Sequence, residues 1–316
     1  KNVTINGGTN TTVGDYSVET HTNNVTAGMI QIPPDITFNV TNLILKGGSL
    51  QNDRGTLIVK EQTNLSFNTT IDDNGTSYPA ELNLNGTWNM WESELNTSII
   101  LVQDSGEITS YNESWRDSGA YNYTLNITAI NLTIEPGGLI TALGRGYRGG
   151  QSNNEEGEGP GRGTGDKGGA GGGGFGGDGG LGVTNIPGGT TYGSAIYPVI
   201  AGSGGGAGTN GSPGGRGGGL IFINISDTIM INGTISSRGS QGTNEATHAG
   251  GGGSGGAIVI TTKEFTGTGT LNVSGGEGGT VNSDGGGGGG GRIAIRTSTN
   301  TFLGIFDTQA HTDPIG

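Results

Sequence analysis

Gly219-Leu220-Ile221-Phe222-Ile223 returns as Gly256-Ala257-Ile258-Val259-Ile260 and again as Gly291-Arg292-Ile293-Ala294-Ile295. Beyond the first two copies the match continues at an offset of 36 residues. Ile229 falls on Phe265, Gly233 on Gly269, Ile235 on Leu271, Ser237 on Val273, Gly239 on Gly275 and Gly242 on Gly278. A period of roughly 20–50 residues marks a stacked, quasi-one-dimensional architecture. Each copy reads as two short alternating strands, a glycine corner and a glycine-rich return to the next strand. One copy cannot cover its own apolar edge, whereas several stacked copies can. Leu132-Thr133-Ile134 followed by Gly138, Ile140, Ala142 and Gly144 echoes the second half of the module. The stack is therefore expected to start before the glycine-rich part, near residue 123.

Working outward, composition shifts once, near Pro136. Residues 1–136 hold 11 of the 71 glycines, which leaves 60 for residues 137–316. We read the first part as an Asn/Thr-rich glycosylated β region and the second as a glycine-rich β-solenoid region. In the first part, alternating segments bounded by turn residues predict strands at 3–5, 29–32, 38–45, 56–60, 65–67, 81–85, 98–103 and 123–134. Asp72-Asp73-Asn74-Gly75 and Lys46-Gly47-Gly48 supply the turn chemistry between them. No amphipathic helix is expected, and the acidic stretch 91–95 is at most one turn.

The triplet Asn-x-Ser/Thr begins at Asn2, Asn10, Asn24, Asn39, Asn64, Asn68, Asn74, Asn85, Asn96, Asn112, Asn122, Asn126, Asn131, Asn210, Asn224, Asn232 and Asn272. These 17 occurrences compare with roughly 6 for random placement of the same residues, and each is an acceptor for N-glycosylation on export. Asn and Thr are also common at turns and on the outer faces of strands, so parity has to decide. Asn131, Asn224 and Asn272 sit opposite the repeated aliphatic positions, as glycan attachment requires. With an opening residue Lys1, as in a mature chain whose leader has been removed, the expectation is an exported, extracellular or cell-surface glycoprotein.

The formal charge is −13 although only 13% of residues are charged. That balance argues against nucleic acid or an anionic membrane surface as partner, since both need a basic face. There is no cysteine, hence no disulfide framework and no thiolate metal site. No apolar run reaches the roughly 18 residues of a membrane span.

Between Gly144 and Gly219 lie the tracts 168–180 and 202–208. Glycine loses more backbone entropy on ordering than any other residue, so an ordered tract must be packed. Extended chains of the polyproline-II kind, hydrogen-bonded to one another, would satisfy the backbone groups of such arms. A collagen triple helix is excluded by the absence of glycine at every third position and by only 9 prolines.

Other motifs are weaker. Gly144-Arg145-Gly146-Tyr147-Arg148-Gly149 matches a dinucleotide fingerprint, but no helix opens after it to hold a pyrophosphate. Arg145, Arg148, Arg162 and Arg216 lie among glycines as in RNA-binding segments, against an acidic chain. Gly173-Gly174-Phe175-Gly176-Gly177-Asp178 resembles one defective copy of a calcium-binding nonapeptide. Glu155, Glu156, Glu158 and Asp166 could also offer oxygens to calcium, although a solvated acidic loop explains them as well. His21, His248 and His311 stand apart, at neither zinc nor triad spacing. Trp88, Trp91 and Trp115 either cover the end of a core or stack on sugar rings.

The module Gly-x-Ile-x-Ile, spacer, Gly-x-Ile/Leu-x-x-x-Gly and polyglycine, over residues 131–305 at most, resembles glycine-rich secreted surface proteins of the parallel β-helix, pectin-lyase-like type. That family includes sugar-cleaving enzymes, whose sites need several carboxylates converging on one sheet face. The regular strands here display Asn, Thr, Ser and Arg instead, and no catalytic residue carries over. The expected fold is all-β, a mostly parallel β-solenoid with polyglycine-II-like arms. The expected role is structural, a self-assembling subunit of a filament, sheath or surface layer, with no cofactor beyond covalent N-glycans. Its partners would be copies of itself, joined by strand addition through residues 3–5 or 301–306. The alternatives are an adhesin or glycan-binding module using the tryptophans, and a polysaccharide lyase or hydrolase. An ice-binding surface would need a regular Thr-x-Thr array.

Overall fold

The computed structural model describes residues 2–311 except 7–9, 13–19, 27–28, 33, 47–48, 54–55, 66–69, 74–75, 91–93, 111–123, 167, 184, 210, 245–247 and 281–283. Its strands in the first part are β1 (Asn2–Asn6), β2 (Asn10–Thr12), β3 (Thr20–Thr26), β4 (Met29–Ile32), β5 (Thr37–Lys46), β6 (Ser49–Asn52), β7 (Thr56–Leu65), β8 (Thr70–Asp73), β9 (Thr76–Leu84) and β10 (Thr87–Met90). There follow β11 (Glu94–Asn96), β12 (Ile99–Val102), β13 (Glu107–Ser110), β14 (Thr124–Ile134), β15 (Leu139–Thr141), β16 (Leu220–Ile231), β17 (Thr234–Ser236), β18 (Ala257–Gly267), β19 (Thr270–Asn272), β20 (Arg292–Phe302) and β21 (Ile305–Asp307). No helix occurs among the described residues.

Two parallel sheets hold all of these strands. One has 11 strands in the order β1-β3-β5-β7-β9-β11-β14-β16-β18-β20, with β12 between β9 and β14; the other has 10, from β2 through β13 to β21. Because β11 and β12 share one turn, the described residues make ten turns, each a long strand, a corner and a short strand. The ladders cross Pro136 without a break: β14 pairs with β12 on one side and β16 on the other. Residues 94–95 of the stretch 91–95, read as at most one turn, belong to strand β11.

The core is a set of aliphatic columns running along the stack. In the short-strand sheet, one column passes through Ile30, Leu50, Ile71, Trp88, Ile108, Ile140, Ile235 and Leu271 in unbroken register. None of these eight is more than 2% exposed. Side chains alternate across a strand, so every second residue of each turn enters such a column and the next faces outward.

The long strands bend midway. Register shifts recur at Val40/Leu43, Val59/Gln62, Ala129/Asn131 and Ile225/Thr228, and in the sixth turn the strand divides into β11 and β12 at Thr97-Ser98. A bend takes carbonyls out of the ladder, and inward threonines meet them. Thr97 Oγ1 donates to Ala80 O at 3.0 Å. Thr262 Oγ1 lies 3.0 Å from both Asp227 O and Glu264 O, and Thr297 Oγ1 lies 3.1 Å from Lys263 O and 2.8 Å from Thr299 O. Thr262→Val keeps the shape and strands those carbonyls in a buried site. We expect a loss of about 1–2 kcal/mol in denaturant unfolding; an unchanged midpoint would mean that water serves the bend instead.

From β15 onward the return legs are glycine-rich, and they pack on one another. Residues 249–256 show the pattern. The N–H groups of Gly250, Gly253 and Gly256 donate to Thr243, Ser240 and Ser237; those of Gly251 and Ser254 to Gly206 and Ser203; those of Gly252 and Gly255 to Gly286 and Gly289, all at 2.7–3.1 Å. Its carbonyls accept from three further segments: Ala249 and Gly252 from Ala170 and Gly173, Gly251 and Ser254 from Gly215 and Gly218, Gly250 and Gly253 from Gly279 and Gly276. Each partner recurs every third residue, so the segment turns once in three residues and bonds to six neighbours. An extended threefold chain has no internal hydrogen bonds and turns its N–H and C=O groups outward in three directions, which accounts for the six. The close approach leaves no room for side chains. A Cβ on Gly251 would lie 2.0 Å from Gly171 O, and one on Gly253 2.0 Å from Arg216 O.

Candidate functional site

Among the described residues three surfaces are candidates: the outer faces of the sheets, the glycine leg, and the last strands, β20 and β21. On the outer faces, the acceptors with described side chains are Asn39, Asn64, Asn85, Asn96, Asn126, Asn131, Asn224, Asn232 and Asn272. All nine are half-buried or exposed, while the core residues beside them, such as Phe38, Leu95, Ile127 and Ile223, are buried. At four of them the side-chain carbonyl is an engaged atom: Asn64 Oδ1 accepts from Asn83 Nδ2, Asn131 Oδ1 from Thr228 N, Asn232 Oδ1 from Thr268 N, and Asn272 Oδ1 from Ser274 N. N-glycosylation uses the other atom, Nδ2. Asn2, Asn10 and Asn24 lie on β1, β2 and β3; Asn68, Asn74, Asn112, Asn122 and Asn210 lie outside the described residues, as do Trp91 and Trp115.

Trp88 is wholly buried between Ile71 and Ile108, where no sugar ring can reach it. Gly146 N and Tyr147 N bond to Gly217 O and Gly202 O within the glycine leg, so the fingerprint-like run 144–149 is lattice. Arg148 pairs with Glu155 at 3.2 Å and Glu158 at 3.3 Å, and Arg162 pairs with Glu156. These arginines and acids neutralise one another rather than forming a basic face or a cation cage. Partial burial pulls the Glu155 carboxyl up, but the N–H groups of Gln151 and Ser152, the Ser152 hydroxyl and Arg148 together hold it below its ordinary value. Asp178 accepts from the Thr191 hydroxyl and N–H, which lower its pKa. His311 lies 4.0 Å from Glu277. Among the described residues no three His, Cys, Asp or Glu side chains group as metal ligands, and no helix is long and apolar enough to cross a membrane.

Glu107 starts β13 on the outer face. Burial pushes its carboxyl above the ordinary 4.5, and the Arg145 guanidinium pulls part of the way back. The folded protein thus holds this proton more tightly than the unfolded chain, and stability falls as pH rises through 4.5 toward the raised folded value. Glu107→Gln removes that loss. Its melting temperature should gain on wild type as pH is raised through this window, and a constant difference across the window would contradict the assignment.

Among the described residues the columns can be followed as far as β20 and β21. The column of Trp88 ends at Phe306, which is 48% exposed, next to Ile305 at 63% and Leu303 at 85%. Phe302 packs on Phe265 and Phe306, with ring centroids 4.7 and 5.2 Å away. Among the described residues, strands β20 and β21 each pair on one side only. In the sequence this stretch is legible only as a candidate joining strand at 301–306; the place of Phe306 in the column follows from register. Compared with family models, with curated proteins and with solved structures, the chain matches none, so function has to be argued from this geometry alone.

Proposed function

We propose that the protein is an extracellular structural glycoprotein, a subunit that assembles with copies of itself into a filament, sheath or surface layer through strand addition at its ends. The observation that carries this reading is the stack of two parallel sheets, whose last strands, β20 and β21, pair on one side only among the described residues. Unpaired edges invite pairing with another chain unless they are covered or charged. The glycine leg supports the reading as a polyglycine-II lattice, a side wall that contributes stiffness. The outward acceptors support it by placing glycans on faces that would become the surface of the polymer. No specific observation favours the adhesin, because Trp88, the described member of its proposed sugar platform, lies inside the core.

Negative-stain imaging and sedimentation of the full, glycosylated chain test the proposal. Polymers are expected, and deletion of 3–5 or of 301–306 should leave a folded species that does not polymerise. A chain that stays a single molecule at every soluble concentration would overturn the reading.

A further inference from the structure

The geometry of the acceptors also says when sugar can be added to them, a step that rests on the reading of the chain as a glycoprotein. Of the acceptors with described side chains, Asn39 lies on β5, Asn64 on β7, Asn96 on β11, Asn126 and Asn131 on β14, Asn224 on β16 and Asn272 on β19. Each of those strands is hydrogen-bonded to a neighbour on both sides. The middle residues of their triplets are buried: Val40, Thr97, Ile127, Leu132, Ile225 and Val273 are at most 8% exposed. These triplets are therefore ordinary sheet, anchored in the core by the residue between the Asn and the hydroxyl.

Asn272 is the most enclosed. Asn272 O accepts from Ser237 N, Val273 N donates to Asp307 O, Val273 O accepts from Gly291 N and Ser274 O accepts from Gly239 N, all at 2.7–3.0 Å. The Ser274 hydroxyl, in a residue only 3% exposed, donates to Asn272 Oδ1 at 2.8 Å. Asn232, just after β16, is held in a similar way. The N–H groups of Asn232 and Gly233 both donate to Ile134 O, and Asn232 Oδ1 accepts from the hydroxyl and the N–H of Thr268.

In the transfer, Nδ2 bonds to the anomeric carbon of a glycosyl diphosphate donor as the bond from that carbon to the diphosphate breaks, and Nδ2 gives up one proton to a base. The signal is the Asn together with the hydroxyl two residues on, so a transferase has to reach both at once. Reaching them in a strand paired on both sides means opening the strand, and core strands open only at a cost near that of global unfolding. We infer that sugar is transferred to these acceptors before the stack closes, on chain that has not yet paired, and that the folded stack is no longer a substrate. The fold leaves room for sugars added early. None of the strand acceptors faces another across neighbouring strands: Asn126 is flanked by Glu94 and Phe222, Asn131 by Ile99 and Thr228, Asn224 by Thr128 and Thr261, and Asn272 by Ser236 and Asp307. Adjacent strands are about 4.8 Å apart, and no two of these acceptors share that spacing.

The full chain, made without sugar and folded, is incubated with an oligosaccharyltransferase and its lipid-linked diphosphate donor. Beside it stand the full chain carrying Gly251→Ala, whose added carbon would collide with Gly171 O, and peptides spanning 220–228 and 268–276. Occupancy at Asn224 and Asn272 is read by mass spectrometry. The variant and the peptides should be modified roughly tenfold faster than folded wild type, or more, and the peptides decide the comparison if the variant folds. Folded wild type modified as fast as the peptides overturns the order of events and leaves the glycoprotein reading standing. Chain purified from its own source with no sugar on any acceptor overturns the glycoprotein reading, and this inference with it.

Discussion

Gly251→Ala is expected to cost at least about 4 kcal/mol, at the far end of what a single substitution does, and to leave little folded protein. The methyl group has nowhere to go. Its carbon would sit 2.0 Å from Gly171 O and 2.5 Å from Gly171 C, and backbone cannot swing aside as a flexible side chain does. Moving residues 249–256 instead would stretch bonds on the far side, where Gly251 N donates to Gly206 O at 2.9 Å and Gly251 O accepts from Gly215 N at 2.8 Å. Each buried amide left unbonded adds roughly 1–3 kcal/mol. Gly177→Ala is the control: its Cβ would meet nothing nearer than Gly290 N at 3.7 Å, ordinary contact, and the change should stay within about 0.5 kcal/mol. Chemical denaturation of the two variants decides the matter. Equal midpoints would show that the glycine leg is loosely packed and contributes no wall.

The contrast between those two glycines also marks what was legible in the sequence. Seventy-one glycines announce that close packing is needed, but not which glycine meets which carbonyl. The partners of residues 249–256 come from six segments between Ala170 and Gly289, and contacts of that range have no local signature. The long strands were readable because they carry several inward aliphatics in alternation, as in Ile258, Ile260 and Phe265. Strands β2, β3, β6, β8, β10, β11 and β13 do not appear among the expected strands. All but β3 are three or four residues long, too short to show a period, and β3, THTNNVT, holds a single aliphatic residue. The inward threonines at the bends were findable: Thr262 and Thr297 follow the Gly-x-Ile-x-Ile copies on the inward parity, where an aliphatic residue was due. The early turns were readable as β, but their membership in the same stack was not, because their period is set by short corners rather than by the glycine return. Acceptor parity was legible, since Asn131, Asn224 and Asn272 sit between buried aliphatics.

Trp88→Ala should cost about 3–5 kcal/mol, the range for deleting a large buried aromatic. Trp88 is the bulkiest fully buried side chain of the core column, with 0% exposure, held between Ile71 and Ile108 in the short-strand sheet. Those strands are pinned in the ladder by neighbours on both sides, so the cavity cannot collapse by sliding one strand. Trp88→Phe should be far milder, near 1 kcal/mol. The indole Nε1 is buried without a hydrogen-bond partner, and replacing it with a ring that has no polar atom relieves that group while giving up some volume. This ordering separates the core role from the sugar-stacking role that the tryptophans suggested. A residue that stacks on a glycan loses binding on truncation and leaves stability nearly untouched; a residue inside a column does the reverse. Melting and glycan-array measurements on the two variants read both quantities. A stable Trp88→Ala protein with lost sugar binding would place this side chain on the surface and reopen the adhesin reading. Destabilisation graded from Phe to Ala, with the assembly of the still-folded fraction intact, follows if the column through Trp88 is what keeps successive turns in register.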